Sequence, residues 1–264
     1  MSDLIIDKSG IVREDIVNQN NAYGEVSDRY NVISTGHILD IIKEVEPTYR
    51  VVGFNNSYVR NQDKDSFQKH AIMLEFPDST LIDGTKMNMI IFNSYDRSMS
   101  LRILAGAIRA ACNNGLVWGD EILPEKRIKH TNKNWEHSVY SLMNDFKESK
   151  NKTKDMIEEM ENRYMSYGDM GRFAEQVAEE LINPIISGKI VDPLEMLVAK
   201  RKEDVGKDLW RTFNKIQESL SMGGIHRVME KDDVSVISKT HKITDERKRI
   251  ELNKELHTMA MSYL

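Results

Sequence analysis

Two periods of apolar and polar positions run along the chain, and the change between them marks its elements. From Thr35 to Val45 the apolar residues Ile38, Ile41, Ile42 and Val45 recur at helical spacing, and Pro47 closes the run. A helix capped by Thr35 is expected there. From Tyr49 to Ser94 the period shortens to two. Tyr49-Arg-Val-Val-Gly-Phe begins a first strand that reaches toward Arg60, Phe67–Phe76 forms a second, and Lys86–Ser94 a third, with Pro77-Asp78 and Asp83-Gly84 as turn signals between the last two. In the third, Met87, Met89, Ile91 and Asn93 share one face, and the Ile90-Ile91-Phe92 centre reads as buried on both sides. Helical spacing returns over Ser98–Asn114. There Leu101, Leu104, Ala105, Ile108, Ala111 and Cys112 line one face, Arg102 and Arg109 the other, and Asn114-Gly115 supplies a stop.

After Pro124 the pattern is helical almost throughout. Trp135, Val139, Leu142, Phe146, Met156, Met160 and Tyr164 fit one long helix, and Phe173, Val177 and Leu181 a second. Asp192-Pro193 opens another turn, and Val205, Leu209, Phe213, Ile216 and Leu220 fit a helix ending at Gly223-Gly224. Leu252, Leu256, Met259 and Tyr263 fit the last, while residues 1–30 read as polar loop or short strand and 225–240 as irregular or short β. The predicted fold class is α+β. A helix, a three-stranded antiparallel sheet and a long packing helix occupy 1–124, and a mostly helical region fills 125–264, as one family unit or two domains.

Composition narrows the functions. The 264 residues carry 37 Lys and Arg against 42 Asp and Glu, a net charge of −5, so nucleic-acid binding requires a local patch. Two such blocks alternate. Residues 126–154 hold eight basic and three acidic side chains, and residues 155–180 hold two basic and eight acidic. A single cysteine, Cys112, excludes an internal disulfide and any multi-cysteine metal site, and no cofactor is expected. No stretch is apolar over the length of a membrane span, and the start lacks the pattern of a secretion signal, so a cytoplasmic, membrane-free protein is expected.

Catalytic motifs are weak. There is no Gly-x-Ser-x-Gly elbow, no phosphate-binding glycine loop and no His-Glu-x-x-His pair. Pro77-Asp78 with Asp83-Gly-Thr-Lys86 resembles a metal-dependent nuclease core, but Asp-x-x-Lys is one residue too long to put acid and lysine on one strand face. No catalytic or metal-binding residue is therefore assigned. The basic residues are more informative. Arg50, Arg60, Lys69, Lys86, Arg97, Arg102 and Arg109 recur through the strands and the helix expected after them, and Lys126, Arg127, Lys129 and Lys133 follow near Trp135. These are the candidate phosphate contacts, with Tyr49, Tyr58, Tyr95 and Trp118 as candidate stacking surfaces. Asn214, Gln217 and Glu218, three and four apart on one helix, are read either as a structural polar group or as a ligand surface.

Several stretches resemble a family of phage- and plasmid-encoded proteins that carry a domain of unknown function. They are Val26-Ser-Asp-Arg-Tyr30; Asn93-Ser-Tyr-Asp-Arg-Ser98 with Leu101-Arg102 and Gly106-Ala-Ile-Arg109; Cys112-Asn-Asn-Gly-Leu-Val117; Leu209-Trp-Arg-Thr-Phe-Asn-Lys-Ile-Gln-Glu218; and Leu252-Asn-Lys-Glu-Leu256. The family pattern more often has His at position 95 and Gly at position 97. The resemblance implies a mobile-element origin and carries over no catalytic residue. The order of helix, three strands and long helix is similar to the core of Rad52-like and Redβ-like single-strand annealing proteins, which implies binding of single-stranded DNA and assembly into homo-oligomers. The leading expectation is a phage single-stranded DNA-binding, strand-annealing protein. The rival is a phage protein that binds a host protein, blocking a defence or remodelling a complex.

Overall fold

A computed structural model of the protein describes residues 12–82, 84–109, 123–231 and 234–264, apart from the side chains of Thr80, Ile108, Arg109, Glu246 and Arg247. These residues form two units. The first comprises residues 12–109 and 123–153, the second residues 154–264.

In the first unit a single-turn helix α1 (Glu14–Val17) precedes α2 (Thr35–Val45). Five strands follow: β1 (Arg50–Asn56), β2 (His70–Thr80), β3 (Thr85–Asn93), β4 (Leu101–Arg109) and β5 (Glu125–Ile128). They pair antiparallel in the order β1-β2-β3-β4-β5, so each strand lies beside its sequence neighbours. The first half of α3 (Trp135–Asn162) completes the unit. One face of the sheet carries Phe54, His70, Ile72, Leu74, Phe76, Met89, Ile91, Leu101 and Ile103. It meets Thr35 of α2 through His70, and Phe146 of α3 through Phe76, whose ring lies 4.6 Å from that of Phe146. The fold is α+β, and the strands expected from alternation are present.

The segment after β3 differs from expectation. Residues 101–109 form strand β4 where a helix over 98–114 was expected, and residues 110–114, with Cys112, lie outside the described residues. The physical reason is burial. β4 is flanked by β3 and β5, and Leu101, Ile103, Leu104, Ala105 and Ala107 are each at most 2% exposed. A central strand covered on both faces is apolar at nearly every position, so it shows no period of two and satisfies a helical template equally well. The sheet consequently has five strands rather than three, and the β-β-β-α order behind the likeness to single-strand annealing proteins is not the order found.

Thr35 is also placed differently. The helix cap is Ser34, and the Thr35 hydroxyl turns inward to the sheet.

The second unit contains the rest of α3, then α4 (Tyr167–Val177), whose start is closed by a Ser166–Asp169 capping box. α4 runs on into a π-helical turn, Ala178–Ile182. Further along lie the short β6 (Lys189–Ile190), α5 (Leu209–Met222), the hairpin β7 (His226–Lys231) and β8 (Val234–Lys239), and α6 (Glu246–Met261). Strands β6, β7 and β8 form a second antiparallel sheet. α5 is the core of the unit. Leu209, Trp210, Phe213 and Ile216 are at most 1% exposed, and so are the polar Thr212, Asn214 and Gln217. Gly223 ends it at φ 70°, where a side chain would collide with the Thr240 carbonyl.

Candidate nucleic-acid interface

A buried polar network ties α2 to the sheet. The His70 Nδ1 faces the Gln68 carbonyl at 3.1 Å, which can only accept, so Nδ1 carries the proton and Nε2 accepts from the Thr35 hydroxyl at 2.8 Å. Having donated its one proton, Thr35 Oγ1 accepts from Asn93 Nδ2 at 2.9 Å and from the Tyr95 hydroxyl at 3.0 Å. The Tyr95 oxygen in turn accepts the Thr35 backbone N–H at 2.9 Å. All four side chains are fully buried. Burial holds His70 neutral, with a pKa lowered to about 4, and pushes the Tyr95 phenol up. Asn93 and Tyr95 of the Asn93–Ser98 stretch belong to this network. It is structural, and it removes Tyr95 from the candidate stacking surfaces.

The same stretch contains a left-handed residue. Arg97 sits at φ 64°, with its guanidinium donating to the Glu25 carbonyl at 2.9 Å. Glycine, which the family pattern favours here, occupies this region without a Cβ penalty. Arg97→Ala and Arg97→Gly both remove the Glu25 bond, but only alanine keeps the strain. We expect the alanine variant to be less stable by about 1 kcal/mol. Paired thermal melts check this, and equal midpoints would contradict it.

The antiparallel order sorts the ten candidate cations by sheet end. β1, β3 and β5 finish where β2 and β4 begin, with Asn56 opposite His70, His70 opposite Asn93, and Leu101 opposite Ile128. Arg60, Lys69, Arg97, Arg102, Arg127 and Lys129 therefore lie at or beside this one end. Lys126 is one position further in, opposite Ile103. Arg50, Lys86 and Arg109 belong to the far end.

Two of the candidates are neutralised by carboxylates of the described residues. Arg102 makes a two-pronged bond to Glu125, at 2.6 and 3.2 Å, with both side chains largely buried. Lys86 pairs with Glu75 at 3.0 Å. The expected pairing of Arg102 with Arg109 on one helical face is corrected as well. In a strand, positions seven apart do not share a face, and the Arg109 side chain lies outside the described residues.

Arg60, Arg97, Arg127 and Lys129 are exposed, and Lys69 and Lys126 are half-buried. Acidic groups near this end are partly engaged. Asp65 is bonded by Arg13 and Gln68, which hold its pKa down to about 2, and Asp96 accepts the Ser98 N–H at 3.0 Å.

Among the candidate stacking residues, Tyr58 is 78% exposed and stands beside Arg60 at this same end. Tyr49 is half-buried, with its hydroxyl directed at the Leu39 carbonyl. Trp118 lies outside the described residues. The nuclease-like residues do not converge. Asp78 accepts from Thr48 Oγ1 at 2.6 Å, Lys86 is bonded to Glu75, and Asp83 lies outside the described residues.

In the second unit, Gln217 donates to Asn253 at 3.0 Å, Asn214 donates to the Trp210 carbonyl at 2.7 Å, and Glu218 pairs with Arg201 at 3.0 Å. Gln217 therefore binds α5 to α6 and Glu218 binds it to the Arg201 segment, while Asn214 bonds back within α5. Two aromatics of this unit stand in solvent, Tyr164, which the helical spacing placed on the apolar face of the long helix, and Tyr167, which it did not single out. Tyr164 and Tyr167 are 62% and 74% exposed, with the Lys207 ammonium 4.0 Å from the Tyr167 ring centre. Tyr164 continues the spacing of Met156 and Met160, but α3 ends at Asn162 and leaves it exposed, and Tyr167 opens α4.

The family model of a domain of unknown function, DUF932, matches residues 22–255. The chain belongs to the DUF932 family. It is similar to two Escherichia coli (strain K12) proteins, UPF0380 protein YafZ and UPF0380 protein YfjQ. Each is 26% identical over 214 residues, covering 75% of this chain and 70% of the relative. No solved structure matches. Within the DUF932 match, the β3–β4 turn, α5 and α6 carry most of the distinctive stretches, and the Gln217–Asn253 bond joins the last two elements. The Cys112–Val117 stretch lies outside the described residues.

Proposed function

We propose that this DUF932 protein binds single-stranded DNA in phage or plasmid DNA metabolism, along the basic end of its five-stranded sheet. The observation that carries the reading is the gathering of Arg60, Lys69, Arg97, Arg127 and Lys129 at one sheet end, beside the exposed Tyr58. Five strands at about 4.8 Å spacing span roughly 19 Å from β1 to β5, enough for a backbone to meet several cations in turn. Backbone contacts supply affinity without sequence preference, and a tyrosine face accepts any base. β5 contributes most directly, because Arg127 is exposed while its neighbour Arg102 is neutralised by Glu125.

This separates phosphate contacts from structural cations. Arg127→Gln with Lys129→Gln should weaken binding, with melting unchanged. The slope of log affinity against log salt should shrink by about 0.7 for each phosphate that is no longer neutralised. Arg102→Gln removes the charged partner that Glu125 has in a largely buried pair, so it should lower the melting temperature and leave the slope as it was. A double variant with wild-type affinity and slope overturns the assignment of β5.

A second reading rests on the other unit. Tyr164 and Tyr167, with Val205 at 70% exposure, form apolar surface of the kind that seats a partner protein, which fits a phage protein acting on a host complex. Tyr164→Ala with Tyr167→Ala would abolish such an interaction while sparing DNA binding at the sheet end.

A further inference from the structure

The second unit ends its small sheet on an unprotected strand. Among the described residues β8 pairs only with β7, and its other edge has no strand partner. The pairing with β7 runs in unbroken register from His226–Lys239 to Lys231–Val234, with no bulge to twist the edge away. From Val234 to Ser238 there is neither charge nor proline, the usual means of blunting an edge. Three β-branched residues stand in solvent along it: Val234 at 61% exposure, Val236 at 39% and Ile237 at 65%. Such residues favour a pleated, half-buried surface.

We propose that β8 pairs antiparallel with β8 of a second copy of this chain, about a two-fold axis through Val236, giving a continuous six-stranded sheet across a homodimer. The strand is self-complementary in that register. Val236 meets Val236 of the partner copy, Val234 meets Ser238, and Ser235 meets Ile237, so each aliphatic side chain gains a neighbour and no like charges face each other.

Charge agrees as well. On the face shared by Ser235, Ile237 and Lys239, Glu230 of β7 stands at the hairpin end and accepts from Ser235 Oγ at 3.0 Å. The two-fold brings Lys239 of one copy toward the end where Glu230 of the other stands. A foreign strand has no reason to match this pattern, and a second copy matches it by symmetry. Two six-residue strands cover less than the roughly 1,600 Å² of a standard stable interface, so the dimer is expected at micromolar rather than nanomolar concentrations.

Sedimentation velocity over about 1 to 200 μM spans that affinity range. The wild type should shift from monomer to dimer. Val236→Lys, which sets two ammonium groups face to face on the axis, should stay monomeric with an unchanged thermal melt. Register is read by oxidative cross-linking with Cys112 replaced by serine. Val236→Cys should link to its own copy, and Ser235→Cys, which faces Ile237, should not. A wild type that is monomeric at every concentration overturns the proposal, as does a dimer that survives Val236→Lys. Cross-linking through Ile237→Cys in place of Val236→Cys would overturn the register. None of these outcomes depends on DNA binding.

Discussion

Leu104→Asp is expected to unfold the first unit or bring it close to unfolding. Leu104 is 1% exposed in the interior strand β4, with Ile90 opposite on β3 and Glu125 opposite on β5. A carboxylate there has left water behind and stands beside another carboxylate. The cost is about 4 kcal/mol or more, a large part of the roughly 5–15 kcal/mol that stabilises an ordinary domain. Circular dichroism with thermal melting reads the result directly. A melt within a few degrees of wild type would show that β4 is not a buried interior strand. Leu104→Met, which preserves volume and apolarity, should be nearly silent.

Acid should destabilise both units through two histidines held neutral by burial. His70 and His257 each have a pKa lowered to about 4 from the ordinary value of 6.5. Desolvation is the main cause in both; His257 Nε2 lies 3.1 Å from Met156 Sδ. The unfolded chain takes up these protons near pH 6.5, whereas the folded chain resists them until about pH 4. Stability is therefore complete above pH 6.5 and declines as the pH falls from 6.5 to 4, by about 3 kcal/mol for each histidine. Melting temperatures between about pH 7 and about pH 4.5 should fall steeply. His70→Gln, which keeps an acceptor and a donor without a titrating proton, should flatten the decline in the first unit. A wild-type melting temperature constant over this range would contradict the burial of both rings.

Much of the architecture is legible in residue spacing, and the failures have physical causes. α2, β1, α3 and α6 each leave one side toward a core and another toward water, and their periods survive in the sequence. β3 and β4 are both buried on both faces; the β-branched and aromatic centre Ile90-Ile91-Phe92 marks β3 as strand, whereas the leucines and alanines of β4 fit a helical template equally well. β7 and β8 are short and largely exposed, so their pattern is equally faint.

For the candidate interface, the chain names the cations but not their partners. Nothing near Arg102 in the sequence announces Glu125, and Lys86 reaches Glu75 only because β2 and β3 fold back on each other. The gathering of Arg60, Lys69, Arg97, Arg127 and Lys129 at one end follows from the antiparallel order of five strands. A three-strand reading cannot show it.

The most direct test of single-stranded DNA binding is a salt titration of wild-type protein with a short fluorescent oligothymidine and with duplex DNA of the same length. Strong binding of the single strand is expected at about 50 mM salt, with affinity that falls linearly in log salt at a slope of about −0.7 for each phosphate contacted. Replacing Tyr58 by alanine should reduce affinity and leave that slope unchanged, because stacking releases no counterions. No affinity for the single strand at about 50 mM salt, where such electrostatic binding is strong, would contradict the proposed function.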